Sequence, residues 1–574
     1  MSTVAPTQTT RPLPGQLLFW TLLLAVGLLL IYPLYSLLLT SFQTNVFGQE
    51  TIYGIDNWRR IFSQPRMLNA IWNTVLLGLT RQLIAVVIGV AIAWAIARTN
   101  LPGRRWLEVG FWIALFMPPL PVTLGWVYLI GGRSGLLNQW LMQLPFVDAP
   151  VFEAYSWWGI IWVHLVTSTI AIKVFLLVPA FRTMDSSLEE AARASGASLP
   201  RMLIKVVAPL MAPIIAVVFL IGIVRSMQAF EVELILGAPK RIDVYSTIIY
   251  RTMNLEPPQH GTASALSILF FLSIIPFVLL QQYYAQGRQY GLVSGKFQSR
   301  LQDLGSWRWP LFGAIVGLLT IMTIVPFAFL LVSTFMKVFG SFDLDAPWTI
   351  DNWAHAFTSG DIARSMWNSI QLGVIAALAG MILFTVIAYL TVRRHDLPAR
   401  ALDFFTWVPT LIPGLVLSLG LLQMFTGLAI FRPVYGTMFV LVIAILIATM
   451  TIGTQIIRGS IRTLGRDMEE AAWAAGGSRF YTFHRVVLPL IAPSIAVIGL
   501  EIFATANSAI GIIILLGTGS TQPLSILQLV LLDSGRFESG AVVGIVIMVL
   551  TVSAALLARW IGNRAGLGRH ERNA

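Results

Sequence analysis

Apolar runs of about twenty residues, parted by short polar segments, recur along the whole chain. A helix of that length crosses the hydrocarbon core of a bilayer, so each run reads as a transmembrane helix. Six fall near 17–42, 68–96, 107–131, 155–180, 205–228 and 262–283. Six more fall near 310–335, 366–392, 402–428, 437–457, 490–515 and 538–561. The pattern predicts an all-α polytopic membrane protein of twelve spans. The first run is too long for the apolar core of a signal peptide and lacks a small-x-small cleavage site. It reads as a retained span in which Pro33 is a candidate kink.

The polar segments repeat too. Glu189-Glu190-Ala191-Ala192-Arg193-Ala194-Ser195-Gly196 returns 280 residues later as Glu469-Glu470-Ala471-Ala472-Trp473-Ala474-Ala475-Gly476. Over 189–213 against 469–493, 13 of 25 positions match, where unrelated segments share roughly two. Asp56-Asn57-Trp58 returns as Asp351-Asn352-Trp353 and Trp72-Asn73 as Trp367-Asn368, both after 295 residues. Leu101-Pro102 returns as Leu397-Pro398 after 296. The landmarks keep their order, which predicts an internal duplication. The chain then divides into a tail (1–16), a first repeat (17–283), a linker (284–309), a second repeat (310–562) and a tail (563–574). An even number of spans per repeat makes the two repeats parallel.

Charge sets the expected orientation. With the N-terminus inside, the inner loops sum to +13 and the outer loops to −3, as the positive-inside rule requires. Both termini, the linker and both repeated islands are then cytoplasmic, each island lying between the fourth and fifth spans of its repeat. The net charge of +12 is explained by topology and does not point to nucleic acid.

Composition removes other classes. With 56% hydrophobic residues, 11% charged residues and a mean hydropathy of +0.77, this is no soluble domain but a protein partnered by membrane lipid. The absence of cysteine excludes disulfides, thiolate metal sites and cysteine nucleophiles. The six histidines show no paired ligand spacing, so no metal site is expected. No phosphate loop is present; Gly291-Leu292-Val293-Ser294-Gly295-Lys296-Phe297 has the wrong spacing and the wrong last residue. The chain is expected to be no enzyme and to bind no cofactor. Any ATP-driven work would require an ATPase on another chain.

Ser187 precedes Glu190 by three residues and Asp467 precedes Glu470 likewise, a capping-box spacing. Gly196 and Gly476 are natural helix stops. Ser198 and Ser478 can cap a following helix that runs into the fifth span. Each island is therefore expected to be a helix, a glycine turn and a second helix. Its alanines allow close approach of a soluble partner, and Glu190 and Glu470 supply acidic contacts. Glu189 and Glu469, one position round the helix, are expected to matter less.

The pattern Glu-Ala-Ala, three residues, Gly, nine residues, an aliphatic residue, one residue, Leu-Pro resembles the cytoplasmic signature of permease subunits of binding-protein-dependent ABC importers. The second copy matches with Glu470, Ala471, Ala472, Gly476, Val486, Leu488 and Pro489. The first matches with Glu190, Ala191, Ala192, Gly196, Val206 and Pro209, with Ala208 where Leu is usual. Two copies look like a fused pair. The resemblance implies a type I importer permease fold and two copies of a cytoplasmic ABC ATPase carrying ATP-Mg. It also implies an external substrate-binding protein and a bacterial-type cytoplasmic (inner) membrane. Gln228-Ala229-Phe230-Glu231-Val232-Glu233, with Leu236-Gly237-Ala238-Pro239 and Ile248-Ile249-Tyr250-Arg251, looks like the iron(III)-type branch, whose relatives carry thiamine, polyamines and phosphonates. Ferric iron is the implied solute.

Arg81, His164, Lys173, Arg225 and Glu501 lie within apolar runs, where ionisable groups face the bundle interior. The expectation is either a translocation path or internal pairing, with Glu501 neutralised by Arg225 or Arg81 and Lys173 snorkelling towards the cytoplasm. Glu231, Glu233 and Asp243 fall in an outer loop, as docking contacts for the external protein or as oxygen ligands to a passing hard cation. An ion-coupled secondary transporter is the competing class. It would require intramembrane carboxylates, of which Glu501 is the sole one.

Overall fold

The computed structural model describes residues 14–44, 52–185, 187–286, 301–341, 344–394 and 396–564. The tails and most of the linker lie outside them. Among the described residues there are helices and three isolated bridges but no strand. Ten helices among the described residues are long and apolar enough to cross a membrane, and two bent pairs make up to twelve.

In the first repeat these are α1 (Pro14–Ser41), α2 (Pro65–Arg98), α3 (Arg104–Leu115) bent against α4 (Pro119–Ile130), and α5 (Trp157–Arg182). Then come the short island helix α6 (Ser187–Ala194), α7 (Leu199–Met227), the short α8 (Glu231–Gly237) and α9 (His260–Gln286). The second repeat follows with α10 (Gly305–Ser333), α11 (Gly360–Arg393), α12 (Leu397–Leu411) bent against α13 (Gly414–Gly427), and α14 (Met438–Thr463). The island helix α15 (Arg466–Ala474), α16 (Arg479–Ser508) and α17 (Phe537–Arg564) complete it.

The third span of each repeat is a bent pair rather than one continuous helix. α3 and α4 meet at 97°, and α12 and α13 at 113°. Pro118 and Pro119 stand at the first break and Pro413 at the second. Proline lacks the donor that a continuing helix needs and pushes the preceding residue out of the helical region. α1, by contrast, runs through Pro33 unbroken.

Pro33 instead belongs to a lock between the repeats. α1 packs on α12 and α13, while α10 packs on α3 and α4, so the first span of each repeat leans on the third span of the other. A Cβ added at Gly420 of α13 would sit 2.7 Å from the Pro33 side chain, and one at Gly125 of α4 would sit 2.2 Å from the Pro326 carbonyl oxygen. Glycine at these two places lets a helix nest against a proline that exposes backbone.

The duplicated landmarks are clips. Asn57 Nδ2 donates to the carbonyls of Ser41 and Gln43 (3.1 and 2.7 Å), and Asn352 Nδ2 to those of Thr334 and Met336 (3.0 and 2.8 Å). Trp58 and Trp353 donate to the hydroxyls of Ser41 and Thr334. Asn thereby satisfies carbonyls at the end of each repeat's first span, and Trp holds the hydroxyl beside them.

Candidate functional site

Both islands form the expected helix, turn and helix. Each first helix closes in a Schellman turn: Ala197 N donates to Ala192 O and Gly196 N to Arg193 O, and Gly477 N donates to Ala472 O and Gly476 N to Trp473 O. Gly196 (φ +79°) and Gly476 (φ +87°) hold the left-handed position, with nothing within 4 Å of an added Cβ. Glycine is needed there by conformation rather than space. Ser478 Oγ accepts from Tyr481 N at 3.2 Å, while Ser198 makes no such cap. The capping boxes do not form. Ser187 lies inside α6, its amide donating to Asp185 Oδ1 at 2.9 Å, and α15 starts after Gly465 with no side-chain cap. The second island helix continues without interruption into the fifth span, through a π-turn at Leu203–Val207 and again at Phe483–Val487.

The paired carboxylates divide the labour along the helix. Glu190, Ala191, Glu470 and Ala471 are exposed, with Ala192 and Ala472 half-buried beneath them. Glu189 and Glu469 are buried at 0% and 2% exposure. Glu189 pairs with Arg98 Nη2 at 2.8 Å and accepts from Gln302 Nε2 at 3.1 Å. Glu469 pairs with Arg393 and accepts from the Tyr389 hydroxyl at 3.1 Å. Arg98 and Arg393 are the last residues of α2 and α11, so each island is bolted to the second span of its own repeat. Removing one partner from a buried pair leaves the other uncompensated, at about 3–5 kcal/mol. The expectation that Glu189 and Glu469 matter less is therefore reversed. A sequence signal existed in the matched recurrence of Arg98 as Arg393 and of Glu189 as Glu469, both at the margins of apolar runs.

Deeper in the bundle, Glu233 is 2% exposed and holds two partners, Arg81 Nη1 at 2.9 Å and His164 Nε2 at 2.8 Å. Arg81 also donates to the Ser226 carbonyl, and Gln82 Nε2 to Ser226 Oγ at 2.6 Å. One network thus ties α2, α5, α7 and α8. Asp243, 3% exposed, pairs with Arg66 at 2.8 Å and Arg251 at 3.1 Å.

Residues 85–290 and 381–566 both match the family "Binding-protein-dependent transport system inner membrane component". The chain belongs to this family, in two fused copies. It is 25% identical over 562 residues to the "Probable ABC transporter permease protein y4fN" of Sinorhizobium fredii, covering 96% of this chain and 97% of that one. It is 24% identical over 557 residues to the "Ferric transport system permease protein FbpB" of Actinobacillus pleuropneumoniae, covering 94% and 77%. A solved chain from a bacterial alginate ABC transporter in complex with a pentasaccharide-bound periplasmic protein aligns at 21% identity and a TM-score of 0.40, over 47% of this chain and 94% of that one.

The permease corrects several sequence expectations. Glu233 and Asp243 are themselves buried and already paired, Glu233 with Arg81 and His164 and Asp243 with Arg66 and Arg251, so neither carboxylate is free for an outside partner. Glu231 is half-buried with its carboxylate beside the amides of Ile510 and Gly511, at the seam with the second repeat. Arg81 pairs with Glu233 rather than Glu501. Lys173 does not snorkel. Its stem is buried against Gly89, whose added Cβ would come within 2.4 Å of the Lys173 Cβ. Arg81 and His164 are thus paired, whereas Arg225 and Glu501 are not joined by an ion pair.

Proposed function

We propose that this permease is the membrane core of an ATP-driven importer that takes a small solute from an external binding protein and releases it to the cytoplasm. The observation that carries this reading is the pair of matched islands, each presenting an exposed glutamate and alanine face while a buried glutamate bolts it to the bundle. A surface that is anchored behind and bare in front suits a partner that must push. The partner is two copies of a cytoplasmic ABC ATPase, one per island, holding ATP-Mg. Closing the ATPase pair would draw the islands together. The motion passes into α7 and α16, which continue the islands, and into α2 and α11 through the Arg–Glu bolts, so that access alternates between the two membrane faces. This orientation puts both termini in the cytoplasm, in keeping with the charge of the loops.

Ferric iron in a small complex is the first solute to try, supported by similarity over 94% of this chain to a ferric permease at 24% identity. Thiamine, polyamines and phosphonates follow.

The test is reconstitution with ATPase subunits. Glu190→Lys or Glu470→Lys should uncouple ATP hydrolysis from transport while membrane insertion stays normal. Loss of a buried charge-assisted contact at an interface costs about 2–5 kcal/mol. Normal transport by both variants in the assembled complex would remove the islands as coupling elements. Sustained ATP hydrolysis by the purified chain alone would overturn the division of labour.

A further inference from the structure

Among the described residues, two cations inside the permease, Arg225 and Lys173, form no ion pair. The Arg225 guanidinium makes no hydrogen bond or ion pair among the described residues, and the residue is exposed. Its depth follows from its neighbour. The Ser226 carbonyl accepts from Arg81, which lies midway along the 34-residue α2. At 1.5 Å per residue, Arg81 therefore sits about 25 Å from either end of that span, and Arg225 lies beside it in the last turn of α7. An exposed, unpaired guanidinium at this depth points to a passage, since ionisable groups in a membrane interior face water or a partner.

Lys173 stands behind it, 1% exposed and likewise unpaired. An added Cβ at Gly222, one turn from Arg225, would lie 2.4 Å from Lys173 Nζ. On the facing wall, Thr505 of α16 occupies the position matching Arg225, 280 residues on. Thr505 donates to Glu501 at 3.4 Å, and Glu501 is near enough to attract Arg225 without touching it. Glu233 is committed to Arg81 and His164. Glu231, at the seam beside Glu233, is held by the amides of Ile510 and Gly511. With Glu233 and Glu231 so engaged, Arg225 and Lys173 are the two cations left facing the single carboxylate Glu501.

We propose that Arg225 is a mid-passage station for an anionic group on the transported solute, of carboxylate or phosphate type. Guanidinium pairs with such groups through two parallel hydrogen bonds. Lys173 supplies positive potential from behind, and Glu501 competes for the same guanidinium and so helps release the group. The inference rests on the importer reading and narrows it. Ferric iron would travel as an anionic chelate, phosphonates fit, and polycations do not.

The chain has no cysteine, so Thr505→Cys places a single thiol across from Arg225. The full-length variant in lipid nanodiscs is reacted with an anionic and a cationic methanethiosulfonate of equal size, each rate normalised to a free thiol. The anionic reagent should win by about tenfold, the low end of electrostatic focusing in a charged cleft. Adding Arg225→Gln should abolish that preference, and Arg225→Lys should keep it. Citrate and methylphosphonate should slow labelling, whereas spermidine at equal ionic strength should not. Equal rates or a cationic preference with Arg225 in place, or no labelling by either reagent, would overturn the proposal. No ATPase enters the assay, so such a failure leaves the coupling reading to stand or fall on its own test.

Discussion

The two repeats share a frame and differ in what fills it. Both carry the Asn–Trp clip, the bent third span, the proline-on-glycine lock and the Arg–Glu bolt beneath an island. Inside, the first repeat holds Arg81, Gln82, His164, Lys173, Ser226 and Glu233, where the second has Ala376, Ala377, Ala444, Gly453, Ala506 and Ile513. Even the packing is inverted. Gly89 of α2 makes room for Lys173 of α5, whereas the matching pair is Phe384 of α11 against Gly453 of α14. The lesson is that backbone devices, which answer to helix geometry, recur in both halves. The buried network of Arg81, His164 and Glu233 answers to no such local geometry, and it is built in the first repeat alone.

The largest effects should come where the halves agree. Glu189→Lys and Glu469→Lys each bury two facing cations, and each should cost about 3–5 kcal/mol. Exposed Glu190→Lys should leave stability within about 0.5 kcal/mol. Thermal unfolding of the purified variants reads the difference, and matched losses at 189 and 469 would support equivalent bolts. A large loss at only one would show that Gln302 or Tyr389 has made the two islands unlike.

Where the halves differ, the first should be the more fragile. Glu233→Gln strands Arg81 and should also cost about 3–5 kcal/mol, while Ile513→Val at the matching position should cost about 0.5–1.5. Converting the triad to its second-repeat counterparts (Arg81→Ala, His164→Ala, Glu233→Ile) should be far milder than the single change, because all the buried charges leave together. A triple variant that folds stably yet fails to transport would assign the network to function; one that transports normally would leave it a structural device.

Smaller effects follow from packing and turns. Gly89→Ala would push a Cβ to 2.4 Å from Lys173 and Gly453→Ala one to 2.3 Å from Phe384, and each should cost about 1–3 kcal/mol. Combining Gly89→Phe with Lys173→Gly transplants the second repeat's packing and should recover part of that loss, read as a rise in melting temperature over Gly89→Phe alone. Gly196→Ala and Gly476→Ala meet no atoms and should each cost about 1–2 kcal/mol, from the left-handed backbone alone. Hydrogen exchange at the island amides would show the two turns loosening equally.

The sequence by itself determined the spans, their duplication and the island turns, because each depends on neighbours within a turn or two of helix. Hydropathy is summed over about twenty residues, and a Schellman turn closes over six. The bends at Pro118–Pro119 and Pro413 were legible in kind, since proline's effect is local, but not in angle, which depends on what packs into the break. Pairing was decided by the tertiary structure alone. Glu189 meets Arg98 across 91 residues and Glu233 meets Arg81 across 152, distances at which no local rule ranks one partner over another. The choice between Glu189 and Glu190 as the buried member turned on a 100° step round one short helix. Only the position of α2 against that helix could settle which side faced inward.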